Sequence, residues 1–143
     1  MATKTKTGNQ LPKVHKLSIS TLGPNWHDDD EVMLHACFQL LTSFVDSEGS
    51  KQVSWTHDAE HRKAWKEMRV LHKWWTVTRP ARKDPYFEKF KTLHQVPGGV
   101  VTPQQEKRLS QLAIQSGVRE IKWLDEDQKN LHRLIEVRPY LWA

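Results

Sequence analysis

A chain of 143 residues with 22 Lys and Arg against 17 Asp and Glu, a net charge of +5, suits one domain and attracts anionic partners without requiring them. About two-thirds of its unfolded surface can be buried at this length, so it can build a sizeable core. A single cysteine excludes an internal disulfide framework and a cysteine-based zinc cluster; no segment has the apolar length of a membrane span and no secretory apolar run opens the chain, so a soluble, intracellular protein is expected.

Residues 1–12 read as a basic, flexible arm, and 13–143 as a single helical domain. Met1 to Gln10 is polar and lacks periodicity. Lys13 to Ser20 alternates, with Val14, Leu17 and Ile19 apolar, and reads as a short strand. Leu22-Gly23-Pro24-Asn25 then breaks the pattern. The first helix is predicted over Asp29 to Val45, because Asp28, Asp29, Asp30 and Glu31 crowd a start where the helix dipole favours acids. Met33, Leu34, Cys37, Phe38, Leu40, Leu41, Phe44 and Val45 form a wide apolar arc, with Cys37 read as a small core residue. His35 falls on the polar side. A capped helix start accounts for the acid run more simply than a divalent cation does.

Asp46 to Ser54 reads as a loop. Thr56 to Arg79 reads as one long helix around which the rest is organised, with Thr56 as N-cap, Asp58 and Glu60 in the first turn, and Pro80 ending it. At about 100° per residue, Ala64, Met68, Leu71 and Trp75 share one face, flanked by Trp65 and Trp74. Arg62, Lys66, Arg69 and Lys73 occupy nearly the opposite face, at spacings of 4, 3 and 4. This is either the solvated back of an ordinary amphipathic helix or a basic ridge that meets phosphates or an acidic partner. Arg79, Arg82 and Lys83 would extend its charge past the helix end, and Trp74 is the candidate to stack on a base or anchor a protein surface. Seven tryptophans are an excess for this length, and tryptophan tends to fill a core, anchor an interface or stack on a ligand.

Tyr86 to Leu93 is expected to form a short helix, and Val96 to Gly99 a loop. Thr102-Pro103-Gln104-Gln105 is a strong helix start, a Thr cap and a Gln closing a capping box; that helix is expected to run to Ser116 and end at Gly117. Arg119 to Leu124 reads as a short strand or extended link. A last helix is predicted over Asp125 to Val137, capped by Asp125, with Leu131, Leu134 and Ile135 inward, and Tyr140, Leu141 and Trp142 as an aromatic tail.

His57-Asp58-Ala59-Glu60-His61 fits the H-x-x-E-H pattern of inverted zincins, in which two histidines one turn apart bind zinc and a glutamate polarises water. Zinc needs a third ligand from elsewhere, enzymes of this kind are much larger, and eight histidines make the spacing unsurprising by chance. No phosphate loop, Ser-His-Asp order or carboxylate pair appears. A non-enzymatic protein without cofactor or metal is therefore expected.

WWTVTRPARKDP at Trp74 to Pro85, DEDQKNLHRLIEVRPYLW at Asp125 to Trp142, and the acidic start before a Leu- and Phe-rich helix at Asp28 to Val45 resemble small accessory proteins of tailed bacteriophages. The likeness spans roughly half of the chain and leaves out Tyr86 to Val118. It suggests an origin, carries over no catalytic residue, and implies action in the cytoplasm of an infected bacterium or in the virion.

The expected fold is mainly α, a small domain of three to five helices with one or two short strands and an extended N-terminal arm. The expected function is to bind an anionic partner (nucleic acid, nucleotide or acidic host protein) during infection through Arg62, Lys66, Arg69, Lys73, Trp74, Arg79, Arg82 and Lys83, as a possible homo-oligomer. The alternatives are a structural virion component, docking neighbouring subunits through its arm and tail, and a small metal-dependent hydrolase.

Overall fold

The acid run does start a helix. In a computed structural model that describes residues 17–141, helix α1 covers Asp29–Val45, with Asp28 in extended backbone at its N-cap and Asp29, Asp30 and Glu31 in the first turn. The Asp28 side chain makes no capping hydrogen bond, so the acids act through the helix dipole. Leu34, Phe38, Leu41 and Phe44 are buried, Phe38 and Leu41 completely. The apolar arc is narrower than expected, because neighbouring helices cover one face: Met33 and Leu40 are exposed, and Cys37 and Val45 only border the core. His35 is on the buried side instead of the polar one, its ring 4.7 Å from that of Trp75.

The expected loop at Asp46 to Ser54 contains a single helical turn, α2 (Glu48–Gln52). Ser50 is buried there, and its hydroxyl donates to the carbonyls of Val45 and Ser47.

Helix α3 spans Ala59–Lys73 and begins after Asp58, not at Thr56. The Asp58 carboxylate accepts from the His61 amide at 2.8 Å, supplying both the cap and a negative charge at the dipole's positive end. Ala64, Met68 and Leu71 are buried as their spacing predicts. From Trp74 to Thr78 the coil widens into a π-helical turn, closed by the Arg79 amide donating to the Trp74 carbonyl at 2.8 Å. Five residues per hydrogen-bonded loop in place of four shift the phase of the residues beyond the turn. Trp74 and Trp75 both become buried, so Trp74 belongs to the core and not to its flank.

Helix α4 (Pro85–His94) begins where the Asp84 carboxylate accepts from the amides of Tyr86 and Phe87, each at 3.0 Å, with Pro85 at the first position. Helix α5 (Pro103–Val137) begins at the expected capping box. The Gln105 amide donates to the Thr102 hydroxyl at 3.2 Å, and the Gln105 side chain accepts from the Thr102 amide at 2.9 Å.

Helix α5 then runs unbroken for 35 residues. It passes through Gly117, which does not end it, through Arg119 to Leu124, which are helical, and through Asp125, which is interior and caps nothing. An interior glycine costs about 1 kcal/mol relative to alanine, a cost that packing overrides here. The Ser116 hydroxyl donates to Asp84, and Arg119 donates to the Lys83 carbonyl and lies over the ring of Tyr86, so both sides of the glycine are held to the start of α4. Leu131 and Leu134 point inward, whereas Ile135 is half exposed. A 3₁₀ turn at Arg138–Tyr140 comes next, and Tyr140 and Leu141 pack on the core instead of projecting as a tail.

No strand occurs among the described residues: Leu17 to Ser20 is irregular, while residues 13–16 of that expected strand, the arm 1–12 and Trp142 lie outside them. One core joins α1, α3, the π-turn and the C-terminal part of α5. Helix α4 packs against α5 further towards its N-terminus.

Candidate functional site

The four cations at spacings of 4, 3 and 4 are all exposed along α3. They border a groove of about 670 Å³ bounded on its apolar side by Val45, Trp55, Trp65 and Val70. Trp55 and Trp65 stack face to face, with centroids 4.8 Å apart and planes 9° from parallel. Trp55 is fixed from behind, where its indole N–H donates to the Ser50 carbonyl at 2.8 Å and its ring meets the edge of Phe44. A buried serine turn, α2, thus orients the aromatic wall of the groove.

Charge is distributed unevenly along the rim. Arg62 donates to the Thr56 carbonyl at 3.1 Å, which ties it to the entry of α3. His72 pairs with Asp46 at 3.1 Å. Lys66, Arg69 and Lys73 have no hydrogen-bond or ion-pair partner among the described residues, so their charges are open to a ligand. The spacing of the cations was evident in the sequence. Trp65 stands on the flank of the apolar face as its spacing predicts and also lines the groove, and Trp55, from the segment before α3, joins it. The amphipathic wheel did not point to Trp55 because that residue precedes the helix.

Arg79, Arg82 and Trp74, expected on the same surface, are elsewhere. Arg79 donates from Nε and Nη2 to the two oxygens of Asp127, each at 3.0 Å, and Arg82 adds a third bond to Asp127 at 2.8 Å. Arg79 lies over Trp75, and Arg82 lies between the rings of Trp74 and Trp123. The Trp74 indole donates to Glu126, which also pairs with Arg82. Burial acts to raise the Asp127 pKa, but the bonds and charges of the two arginines outweigh it and hold the carboxyl below its ordinary range. This is a structural clasp between the π-turn and α5, and its arginines are neutralised within the fold. Trp74, buried on Phe38 and Trp75, has no free face for a base. Lys83 is exposed, and its carbonyl accepts from Arg119.

The histidine motif also departs from its expected geometry. Helix α3 starts at Ala59, so His57 precedes the cap and the two histidines do not share a helical face. Their rings are 6.2 Å apart and nearly perpendicular, and His61 Nδ1 is 2.8 Å from Asp58. Among the described residues, no three His, Cys, Asp or Glu side chains are grouped to hold a metal ion. No described helix is long and apolar enough to cross a membrane. No protein-family model matches this chain, and neither a curated protein nor a solved structure shows significant similarity to it.

Proposed function

We propose that this is a binding protein whose α3 groove engages single-stranded nucleic acid, with bases against Trp65, which Trp55 backs from the buried side, and phosphates on Lys66, Arg69 and Lys73. The observation that carries the reading is the pairing of a stacked, back-anchored Trp55–Trp65 wall with a rim of unpartnered cations. Aromatic faces accept any base and cations follow the backbone, so binding of this kind depends little on sequence and strongly on salt. Arg62 to Lys73 covers eleven helical steps, about 16 Å of rim. The bacteriophage resemblance sets this activity in an infected bacterium.

The test is a titration with single-stranded oligothymidylate, read by tryptophan fluorescence at several salt concentrations. Binding should quench emission, weaken steeply with salt, and be abolished in the double variant Lys66→Glu/Arg69→Glu, with its helical circular dichroism unchanged. Trp65→Ala should weaken binding at every salt concentration while leaving the salt slope intact. Unchanged affinity and slope in the doubly reversed protein would reduce the ridge to a solvated helix back.

A further inference from the structure

The N-terminal part of α5 carries an exposed apolar line, whose Ile114 and Val118 border a cleft shared with Tyr86 of α4. Ile114, Val118 and Ile121 are 67%, 49% and 67% exposed, at spacings of 4 and 3. Lys107 lies on the same line towards the N-terminus and Asp125 towards the C-terminus, both exposed. At about 100° per residue the five fall within roughly 60° of one another. This part of the fold is thinly covered: α4 contributes no buried side chain, and Leu112 is the one buried residue of α5 before Asp127. Gly117 borders the line, with open space beyond its backbone.

We propose that this face pairs with the same face of a second copy of the chain, the two α5 helices running antiparallel. The occupant is identified by charge. The line begins with a cation, continues through three apolar side chains and ends in an anion, which makes it complementary to itself when reversed. One register satisfies both kinds of contact. Lys107 and Asp125 have their midpoint at residue 116, and so do Ile114 and Val118. A two-fold axis at that level therefore sets Lys107 against Asp125 of the other copy and Ile114 against its Val118, and lays Ile121 over the stem of its exposed Gln111. Parallel pairing would instead align like charges. In the single chain Asp125 is 2.7 Å from Lys129, an exposed pair that exchanges at little cost. An isologous interface of this kind closes on itself at two chains.

Sedimentation equilibrium of the full chain over a concentration series tests the proposal. The wild-type mass should rise from one chain to two. Ile114→Glu/Ile121→Glu should stay monomeric throughout, with unchanged helical circular dichroism. Lys107→Glu and Asp125→Lys should each weaken association about tenfold, because symmetry counts the contact twice, and their combination should regain it. A wild-type protein monomeric at every concentration would overturn the proposal, including the case in which a different protein covers the face. So would association that survives the isoleucine substitutions, or a double charge reversal that regains nothing.

Discussion

Arg79 clasps Asp127 with two parallel hydrogen bonds, Nε to Oδ1 and Nη2 to Oδ2, both 3.0 Å long. The pair ties the residue that closes the π-turn to a position deep in α5, and Arg82 completes it from the connection leading to α4.

Replacing Asp127 with Asn should leave two guanidinium groups against a neutral amide. Removing one partner of a largely buried pair costs about 3–5 kcal/mol, and because Arg79 and Arg82 keep some contact with water, about 3 kcal/mol is expected. The Asp127 pKa is lowered in the fold, so its stabilisation is complete above the ordinary carboxyl range and is lost as pH falls through the folded value. Urea denaturation should therefore separate wild type from Asp127→Asn at neutral pH and bring them together in acid.

His35 should make stability depend on pH at a higher window. Burial lowers its pKa from 6.5, and the charge of Arg79 adds to this; Glu31 and Asp127 oppose it, and His27 reinforces it. Its Nδ1 is 2.6 Å from the Thr21 hydroxyl. The folded state thus prefers neutral histidine. Its contribution is present above pH 6.5 and is lost as pH falls from there through the folded value. Thermal unfolding measured from neutral pH downwards should show Tm falling, and His35→Gln should flatten that part of the curve.

Leu41→Ala removes methylenes from a completely buried site between α1 and its neighbours, and should cost about 2–5 kcal/mol. A wild-type denaturation midpoint would show that the site is not packed as described.

Deleting exposed Thr76 should convert the π-turn to ordinary helix. Arg79 would then swing by about 100° away from Asp127. The deletion should cost at least as much stability as Asp127→Asn, and combining the two changes should add little beyond the larger, because both break one clasp. Additive losses in denaturant would argue against the shared mechanism.

The mainly helical class, α1, the buried side of α3 and the capping box of α5 were legible because each rests on local spacing and cap chemistry. The π-turn was not, since an ideal wheel assumes 100° throughout and does not foresee the extra residue that turns Arg79 to Asp127; Trp74, at the start of the turn, is buried because α1 and α5 cover that flank. Gly117 and the acids at 125–127 resembled an end and a start; what keeps the helix going is tertiary, with Ser116 and Arg119 bound to the segment before α4 and Asp127 bound by two arginines. The groove was half legible. Its cations share one helix, but Trp55 reaches it through a turn that periodicity does not report. Arg79 and Arg82 looked like Lys66 and Arg69 in sequence, and the opposing Asp127 and Glu126 distinguish them.

The uneven burial along α5 gives one continuous helix two different lifetimes. Its last two turns carry Leu131, Leu134 and Val137 into the core, so their amides should exchange with solvent only when the whole domain unfolds. In the single chain the turns around Gly117 are held by few buried groups, and their hydrogen bonds should open locally and far more often. Helix α5 is therefore continuous in shape but is expected to open as more than one unit. Fraying begun near its capping box should travel inward until it meets Asp127, the first buried residue beyond the thinly covered half.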